Sequence, residues 1–123
     1  MTKLQNLIQA LVKANQRLKE AVKASSTQMN KDATIQRFEF TFELVWKTMQ
    51  EYIRDQGIDC KSPRNCIRES ARLDLIDNPE KWFEFLDNRN LIAHTYNEKM
   101  ANTIYRRALK FPREIEKFLK EIS

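Results

Sequence analysis

The chain has 123 residues, and its 22 lysines and arginines against 17 aspartates and glutamates give it a net charge of +5. A single glycine and three prolines, set among many helix-forming residues, argue against a sheet-rich fold and for helices. This length predicts one domain, residues 1–123, that can bury a core without metal or disulfides. The basic residues are interleaved with acidic ones, so they permit an anionic partner, although a solvated surface accounts for most of them.

The two cysteines, Cys60 and Cys66, are too few for a disulfide scaffold, and the single histidine cannot complete a usual zinc set with them. We therefore predict two ordinary thiols in a reducing compartment, with no metal site and no bound cofactor. The first residues lack the apolar core of a signal peptide, and no run approaches about 18 apolar residues. The sequence thus predicts a soluble, cytoplasmic protein that makes no use of a membrane.

The first two helices are predicted from apolar residues that recur three and four positions apart. The first covers residues 2–24, and the polar residues 25–31 form a loop. Asp32 is the predicted N-cap of the second helix, and Gly57 is the C′ residue that ends it. The aromatic residues of this second helix follow the apolar spacing, so we interpret them as core. Glu43 and Lys47 are one turn apart and are predicted to form an ion pair.

A third, shorter helix is predicted to begin at Ser62-Pro63, which supply an N-cap and an N1 proline, and to run to about Leu75. One side of this helix carries an arginine at every fourth position: Arg64, Arg68 and Arg72. Such a row could bind phosphate groups, or it could form a solvated and ion-paired face. The sequence leaves both interpretations open.

The fourth helix is predicted to begin at Asn78-Pro79 and carries apolar residues around most of its circumference, including Leu91 and Ile92. One bundle cannot cover all of those sides, so we predict a partner surface on this helix. Together with the other long apolar stripes, this predicts an all-α antiparallel bundle that forms a homodimer.

A capping box of Thr95 and Glu98 is predicted to start the fifth helix, which Pro112 should kink or divide near Lys110. His94 would then lie in a tight joint between two helices. Arg89 lies in the apolar stripe of the fourth helix, where an unpaired guanidinium would be costly to bury.

Arg89 and His94 diverge by about 140° on an ideal helix. They can meet on one ligand only if the helix ends near His94, or if two chains each contribute residues. A purely structural interpretation is also open, in which His94 is a helix-end residue and Arg89 pairs with Asp87 or Glu84.

The spacing Arg89-x4-His94-x-Tyr96 resembles the signature of the HEPN superfamily, the helical domains named from higher eukaryotes and prokaryotes nucleotide-binding. Residues 35–47 and the Ser62-Pro63-Arg64 segment are similar to the bacterial nucleotidyltransferase substrate-binding proteins, as are residues 88–98. The resemblance implies an antiparallel up-and-down four-helix bundle with an extra short helix. It also implies dimerisation and a separate minimal nucleotidyltransferase protein as partner.

The resemblance assigns catalytic roles to Arg89 and His94, a supporting polar role to Asn90, and a hydroxyl that accepts AMP to Tyr96. It implies a toxin-antitoxin-like pair in which the helical protein is a metal-independent ribonuclease, silenced when the nucleotidyltransferase modifies Tyr96. The alternative is a non-catalytic subunit that presents a substrate to the nucleotidyltransferase. Tyr96 could equally be a packing residue at a helix start.

The residue types allow RNA cleavage on their own terms. A neutral imidazole can take the proton of the RNA 2′-OH while a guanidinium stabilises the charge that grows on phosphorus. The leaving oxygen needs an acid, and a dimer would supply a second histidine. The chain cannot itself transfer nucleotides, because that fold needs a Gly-Ser loop and paired aspartates, and Gly57 is followed by isoleucine.

Overall fold

The computed structural model describes residues 1–94 and 97–123, except for the side chain of His94. The described residues form six helices: α1 (Lys3–Lys23), α2 (Gln28–Asp55), α3 (Pro63–Arg72), α4 (Pro79–His94), α5 (Glu98–Ala108) and α6 (Phe111–Ile122). The predicted all-α bundle is confirmed, with α3 as the short extra helix and α5 and α6 following each other as the last layer. No helix in the described part of the chain is long and apolar enough to cross a membrane.

The N-terminal ends of α1 and α2 are set by threonines. Thr2 and Gln5 form a reciprocal capping box on α1. On α2 the Thr27 hydroxyl accepts a hydrogen bond from the backbone of Asn30 at 3.2 Å. The prediction that Asp32 caps this helix after a loop is therefore wrong. Thr27 and Asp32 both carry a side-chain oxygen that can cap a helix, and Thr27 lies earlier in the chain. The helix begins at this earlier residue, whose hydroxyl accepts a hydrogen bond from a free backbone N–H group.

Helix α2 is the centre of the bundle, since it packs against each of the other five helices. Its aromatic residues lie in the core, as predicted: Phe38 and Phe42 are almost fully buried. The Phe111 ring of α6 lies 5.0 Å from that of Phe38 and 4.5 Å from that of Phe85 on α4. Tilted aromatic pairs of this kind add about 0.5–1.5 kcal/mol each beyond the area that they bury. This cluster joins α2, α4 and α6.

The connection from α2 to α3 contains the largest departure from the sequence analysis. Gly57 adopts φ +82 after α2, and the Ser62 hydroxyl caps α3 as predicted. Cys60 and Cys66, however, are joined by a disulfide across a Cα–Cα distance of 5.2 Å. The prediction of two free thiols is corrected, because the chain folds back between residues 60 and 66 and brings the two buried cysteines within bonding distance. Helix α3 ends at Arg72, short of the predicted Leu75.

The joint between α4 and α5 also differs from the prediction. Helix α5 begins at Glu98, and the Asn97 side chain accepts a hydrogen bond from the backbone of Met100 at 2.9 Å. The predicted capping box of Thr95 and Glu98 is therefore wrong, since Glu98 is the first residue of the helix. Asparagine is at least as good an N-cap as threonine, and Thr95 itself lies outside the described residues. The predicted division near Lys110 is confirmed.

Most apolar residues of α4 are covered within the chain, although Ala93 is exposed, and the partner surface on this helix stays a prediction. Leu91 and Ile92 are half-buried and pack against a cluster of α2 and α5 residues, which comprises Ile35, Ala101, Ile104 and Tyr105. Helices α2, α3 and α5 surround α4. The most exposed aromatic residue of the described structure is instead Phe40 on α2, at 63%.

Candidate functional site

Arg89 projects from α4 towards α2. Its Nε donates a hydrogen bond to Oε1 of Glu43 at 2.9 Å, with the two side chains 28% and 38% exposed. The acidic partners considered from the sequence, Asp87 and Glu84, are two and five positions away, and neither spacing places two side chains side by side on a helix. The guanidinium is neutralised across the helix interface instead.

Glu43 is itself held by a second contact. Its Oε2 accepts a hydrogen bond from Nε1 of Trp46 at 3.0 Å. Trp46 is half-buried and packs against the core. The predicted pairing of Glu43 with Lys47 is wrong, because the carboxylate turns towards Arg89 and Trp46 while Lys47 is exposed. Each carboxylate oxygen of Glu43 therefore has one N–H donor.

Two further groups fix the Arg89 guanidinium. Nη1 donates to Oδ1 of Asn90 at 3.0 Å, and Cζ lies 5.8 Å from the centre of the Phe42 ring. An arginine carries five N–H donors, and these contacts occupy two of them. Among the side chains that the structure describes, the other three have no acceptor. They are the donors with which this residue can bind an anion.

An open groove of about 530 Å³ leads to Arg89. Its walls come from α2 and α4 and comprise Gln36, Glu39, Phe40, Glu43, Arg89 and Ala93. A second groove of about 610 Å³ runs between α1 and α2 and shares Gln36 and Phe40 with the first. Lys13, Arg17 and Arg37 line this second groove, so cationic side chains continue along the surface away from Arg89.

His94 is the last residue of α4, five positions after Arg89 and one after Ala93 of the groove. The described extent of α4 thus reaches His94, which agrees with one of the two arrangements in which Arg89 and His94 can meet on one ligand. The His94 side chain and all of Tyr96 lie outside the described residues. Their catalytic and modification roles remain predictions.

The arginine row of α3 is not among the residues that line the groove. Arg64 lies over the ring of Phe83, 5.3 Å from its centre, and Arg72 donates to Glu69 at 2.8 Å. Arg68 is exposed on the same helix. The contacts of Arg64 and Arg72 favour the interpretation as a stacked and ion-paired surface.

Sequence reasoning missed three residues that shape the site: Glu43, Trp46 and Asn88. Asn88 is fully buried, and its Nδ2 donates to the carbonyl of Ile104 at 3.0 Å, which fastens α4 to α5 directly beside Arg89. The sequence shows that Glu43 and Trp46 lie one turn apart on α2, but Arg89, which contacts Glu43, lies on α4. No local pattern signals that contact.

The sequence matches the family model described as nucleotidyltransferase substrate binding protein like over residues 2–123. A curated relative, the probable ribonuclease HepT of Haemophilus influenzae, is 36% identical over 76 residues, which are 58% of this chain and 52% of the relative. The aligned part thus spans about half the length of that curated relative.

Solved structures with the same fold cover nearly the whole chain. A protein from Thermus thermophilus is 35% identical, with 91% of this chain and 98% of that chain covered and a TM-score of 0.86. Haemophilus influenzae HI0074, described as the substrate-binding domain fold of a nucleotidyltransferase, is 26% identical, with 94% and 98% covered and a TM-score of 0.80.

A third solved structure shows likeness of fold alone, at 18% identity, 99% and 98% coverage and a TM-score of 0.79. It is a tri-AMPylated HEPN toxin from Shewanella oneidensis in complex with an MNT antitoxin. The family match over nearly the whole chain, together with the shared helical bundle, leads to one conclusion: this chain belongs to the family described as nucleotidyltransferase substrate binding protein like.

Proposed function

We propose that this protein is the helical partner of a separate minimal nucleotidyltransferase and is a metal-independent endoribonuclease that the partner silences by AMPylation. The observation that carries the proposal is the half-buried Arg89, fixed by Glu43 and Asn90 beside an open groove at the end of α4. The HepT relative, a probable ribonuclease, and the AMPylated HEPN toxin with its MNT antitoxin support it.

The chemistry divides between two side chains. His94 removes the proton of the RNA 2′-OH, whose oxygen then bonds to the adjacent phosphorus while the bond from phosphorus to the 5′-oxygen breaks. Arg89 stabilises the extra negative charge on the phosphoryl oxygens. An acid returns a proton to the departing 5′-oxygen. The products are a 2′,3′-cyclic phosphate and a 5′-hydroxyl, and neither side chain needs a metal ion.

A homodimer completes the site in this proposal. Each chain has one histidine, so the base and the acid come from His94 of two chains. Phe40, 63% exposed at the rim of the groove, supports a contact between two copies at this place. Burying a phenylalanine contributes about 1.5–3 kcal/mol, and a two-fold contact buries two of them.

Silencing acts through Tyr96, two residues after His94. AMP on its hydroxyl adds a phosphate charge and a bulky base where the RNA phosphate must approach. Like charges then repel each other, and the added group blocks the groove. The partner nucleotidyltransferase must therefore dock over the end of the bundle where α4 joins α5.

The decisive assay is cleavage of RNA in the presence of a chelator. We expect the wild type to leave 2′,3′-cyclic phosphate ends and His94→Ala to lose ~10²–10⁴-fold in rate. Arg89→Ala should lose a similar factor, whereas Arg68→Ala removes an exposed arginine of α3 and should have no effect. Full activity in His94→Ala would assign the cleavage to another protein and refute the proposal.

The second candidate function is a non-catalytic subunit that presents a substrate to the nucleotidyltransferase. The open groove beside Arg89 and the description of HI0074 as a substrate-binding domain favour it. In this case the purified protein cleaves no RNA, and the partner transfers nucleotides to a third molecule only when this protein is present. Arg89→Ala would then weaken substrate binding to the complex.

A further inference from the structure

We infer that Glu43 of α2 is the positioning residue of this site and holds the Arg89 guanidinium in the orientation that the reaction needs. The inference rests on the proposed function for its catalytic consequence. Its structural part, that Glu43 orients Arg89 through Nε, stands on the contacts alone.

Arginine is a long and flexible side chain, so a single contact would not fix the direction of its terminal N–H groups. Here Glu43 Oε1 binds Nε at 2.9 Å, Asn90 Oδ1 binds Nη1 at 3.0 Å, and the Phe42 ring lies beside the guanidinium. Of these groups only Glu43 is charged and comes from another helix through a hydrogen bond. It therefore ties the guanidinium of α4 to the frame of α2.

Glu43 can act in this way because it is held in turn. The indole N–H of Trp46 occupies its Oε2 at 3.0 Å, and the Trp46 ring packs against the core. A carboxylate with one donor on each oxygen cannot rotate without breaking a hydrogen bond. Packing against the core thus fixes the position of Trp46. The hydrogen bond from Trp46 fixes the Glu43 carboxylate, and Glu43 in turn fixes the Arg89 guanidinium.

The charge of Glu43 has a second consequence for an anionic substrate. Glu43 lines the same groove that RNA phosphate must enter to reach Arg89, so its negative charge opposes binding. Glu43 thus orients Arg89 but weakens the binding of RNA. Removing the charge of Glu43 should therefore lower the KM for RNA and also lower kcat. A variant whose fold was disrupted would not bind RNA more tightly.

The first test follows the Arg89 Nε–Hε resonance by NMR in nitrogen-15-labelled protein, identified by its loss in Arg89→Lys. We expect Glu43→Gln to shift this signal, because the amide oxygen still accepts the hydrogen bond but without the charge. Glu43→Ala should move it to the range of exposed arginines. Glu39→Gln makes the same charge change in the same groove and should leave it in place.

The second test measures RNA cleavage by the same variants. Because misplacing a catalytic group costs up to ~10²-fold, we expect kcat to fall ~10–100-fold in Glu43→Ala and by less in Glu43→Gln, with lower KM in both. Glu39→Gln should lower KM alone. Trp46→Phe keeps a ring but removes the N–H, and should shift the Arg89 signal in the same direction as Glu43→Gln.

The two tests separate the inference from the proposed function. If the wild type cleaves no RNA, the proposed function fails while the NMR series still decides whether Glu43 orients Arg89. An Arg89 signal that is unmoved by Glu43→Gln and by Trp46→Phe overturns the inference. So does an unchanged kcat in an active, folded Glu43→Gln protein, and this variant serves if Glu43→Ala does not fold.

Discussion

Glu43 and Arg89 are 46 positions apart in the sequence, and their side chains meet at 2.9 Å across the interface of α2 and α4. The contact joins an aromatic helix to the helix that ends at His94. Both side chains are part-exposed, so water screens their attraction. We interpret the pair mainly as a device of orientation, with a modest effect on stability.

That interpretation can be measured with a double-mutant cycle of Glu43→Gln and Arg89→Gln. For partly exposed ion pairs we expect a coupling free energy of about 0.5–1 kcal/mol in the free energy of unfolding. Urea denaturation of the four proteins gives this quantity. A coupling above ~3 kcal/mol would identify the pair as a buried structural element instead.

Phe40 provides a test of the proposed homodimer. Phe40→Ser removes the exposed ring from the rim of the groove and should convert dimers to monomers in sedimentation experiments at tens of micromolar. Met29→Ser, which changes an even more exposed side chain at the start of α2, is the matched control and should have no effect. A Phe40→Ser protein that remains dimeric would show that the two copies meet on another face.

Reduction of the Cys60–Cys66 disulfide should destabilise the fold. The bond closes a short loop, for which the loss of unfolded-state entropy predicts about 2 kcal/mol of stabilisation, or ~5–10 °C in Tm. Calorimetry with and without a phosphine reductant measures the change. The Cys60→Ser/Cys66→Ser variant should melt at one temperature under both conditions. Two titratable thiols in the denatured, unreduced protein would contradict the bond.

Asn88 should be a stabilising residue beside the site. Its buried amide donates to the carbonyl of Ile104, and Asn88→Ala removes this bond and leaves a cavity. We expect a loss of about 1–3 kcal/mol in the free energy of unfolding. Asn65→Ala, an exposed position of α3, is the control and should change stability by less than ~0.5 kcal/mol.

Co-expression with the proposed partner nucleotidyltransferase should raise the mass of the peptide that contains Tyr96 by whole AMP units. Tyr96→Phe should abolish the gain, because it removes only the hydroxyl that we propose as the AMP acceptor, and Tyr52→Phe should not. Tandem mass spectrometry of the digested protein locates the group. An unmodified peptide, despite a bound and active transferase, would reduce Tyr96 to a packing residue.

The sequence by itself determined the helices and several of their ends, because these depend on residues within one or two turns. Ser62-Pro63 starts α3, Gly57 follows α2, and Pro112 separates α5 from α6, each through a local effect on the backbone. Its errors at Thr27 and Asn97 are also local, since neighbouring polar residues compete to cap the same N–H groups.

Tertiary structure alone decided what surrounds the candidate site. The sequence indicated Arg89 as unusual, but its partner Glu43 is brought there by the packing of α2 on α4, which no spacing along one helix reveals. The Cys60–Cys66 bond likewise depends on how the connection from α2 packs against the first turn of α3. The covering of Leu91 and Ile92 depends on where α5 lies. Local signals define helices because backbone hydrogen bonds are short-range, whereas side-chain partners depend on which helix faces are buried together.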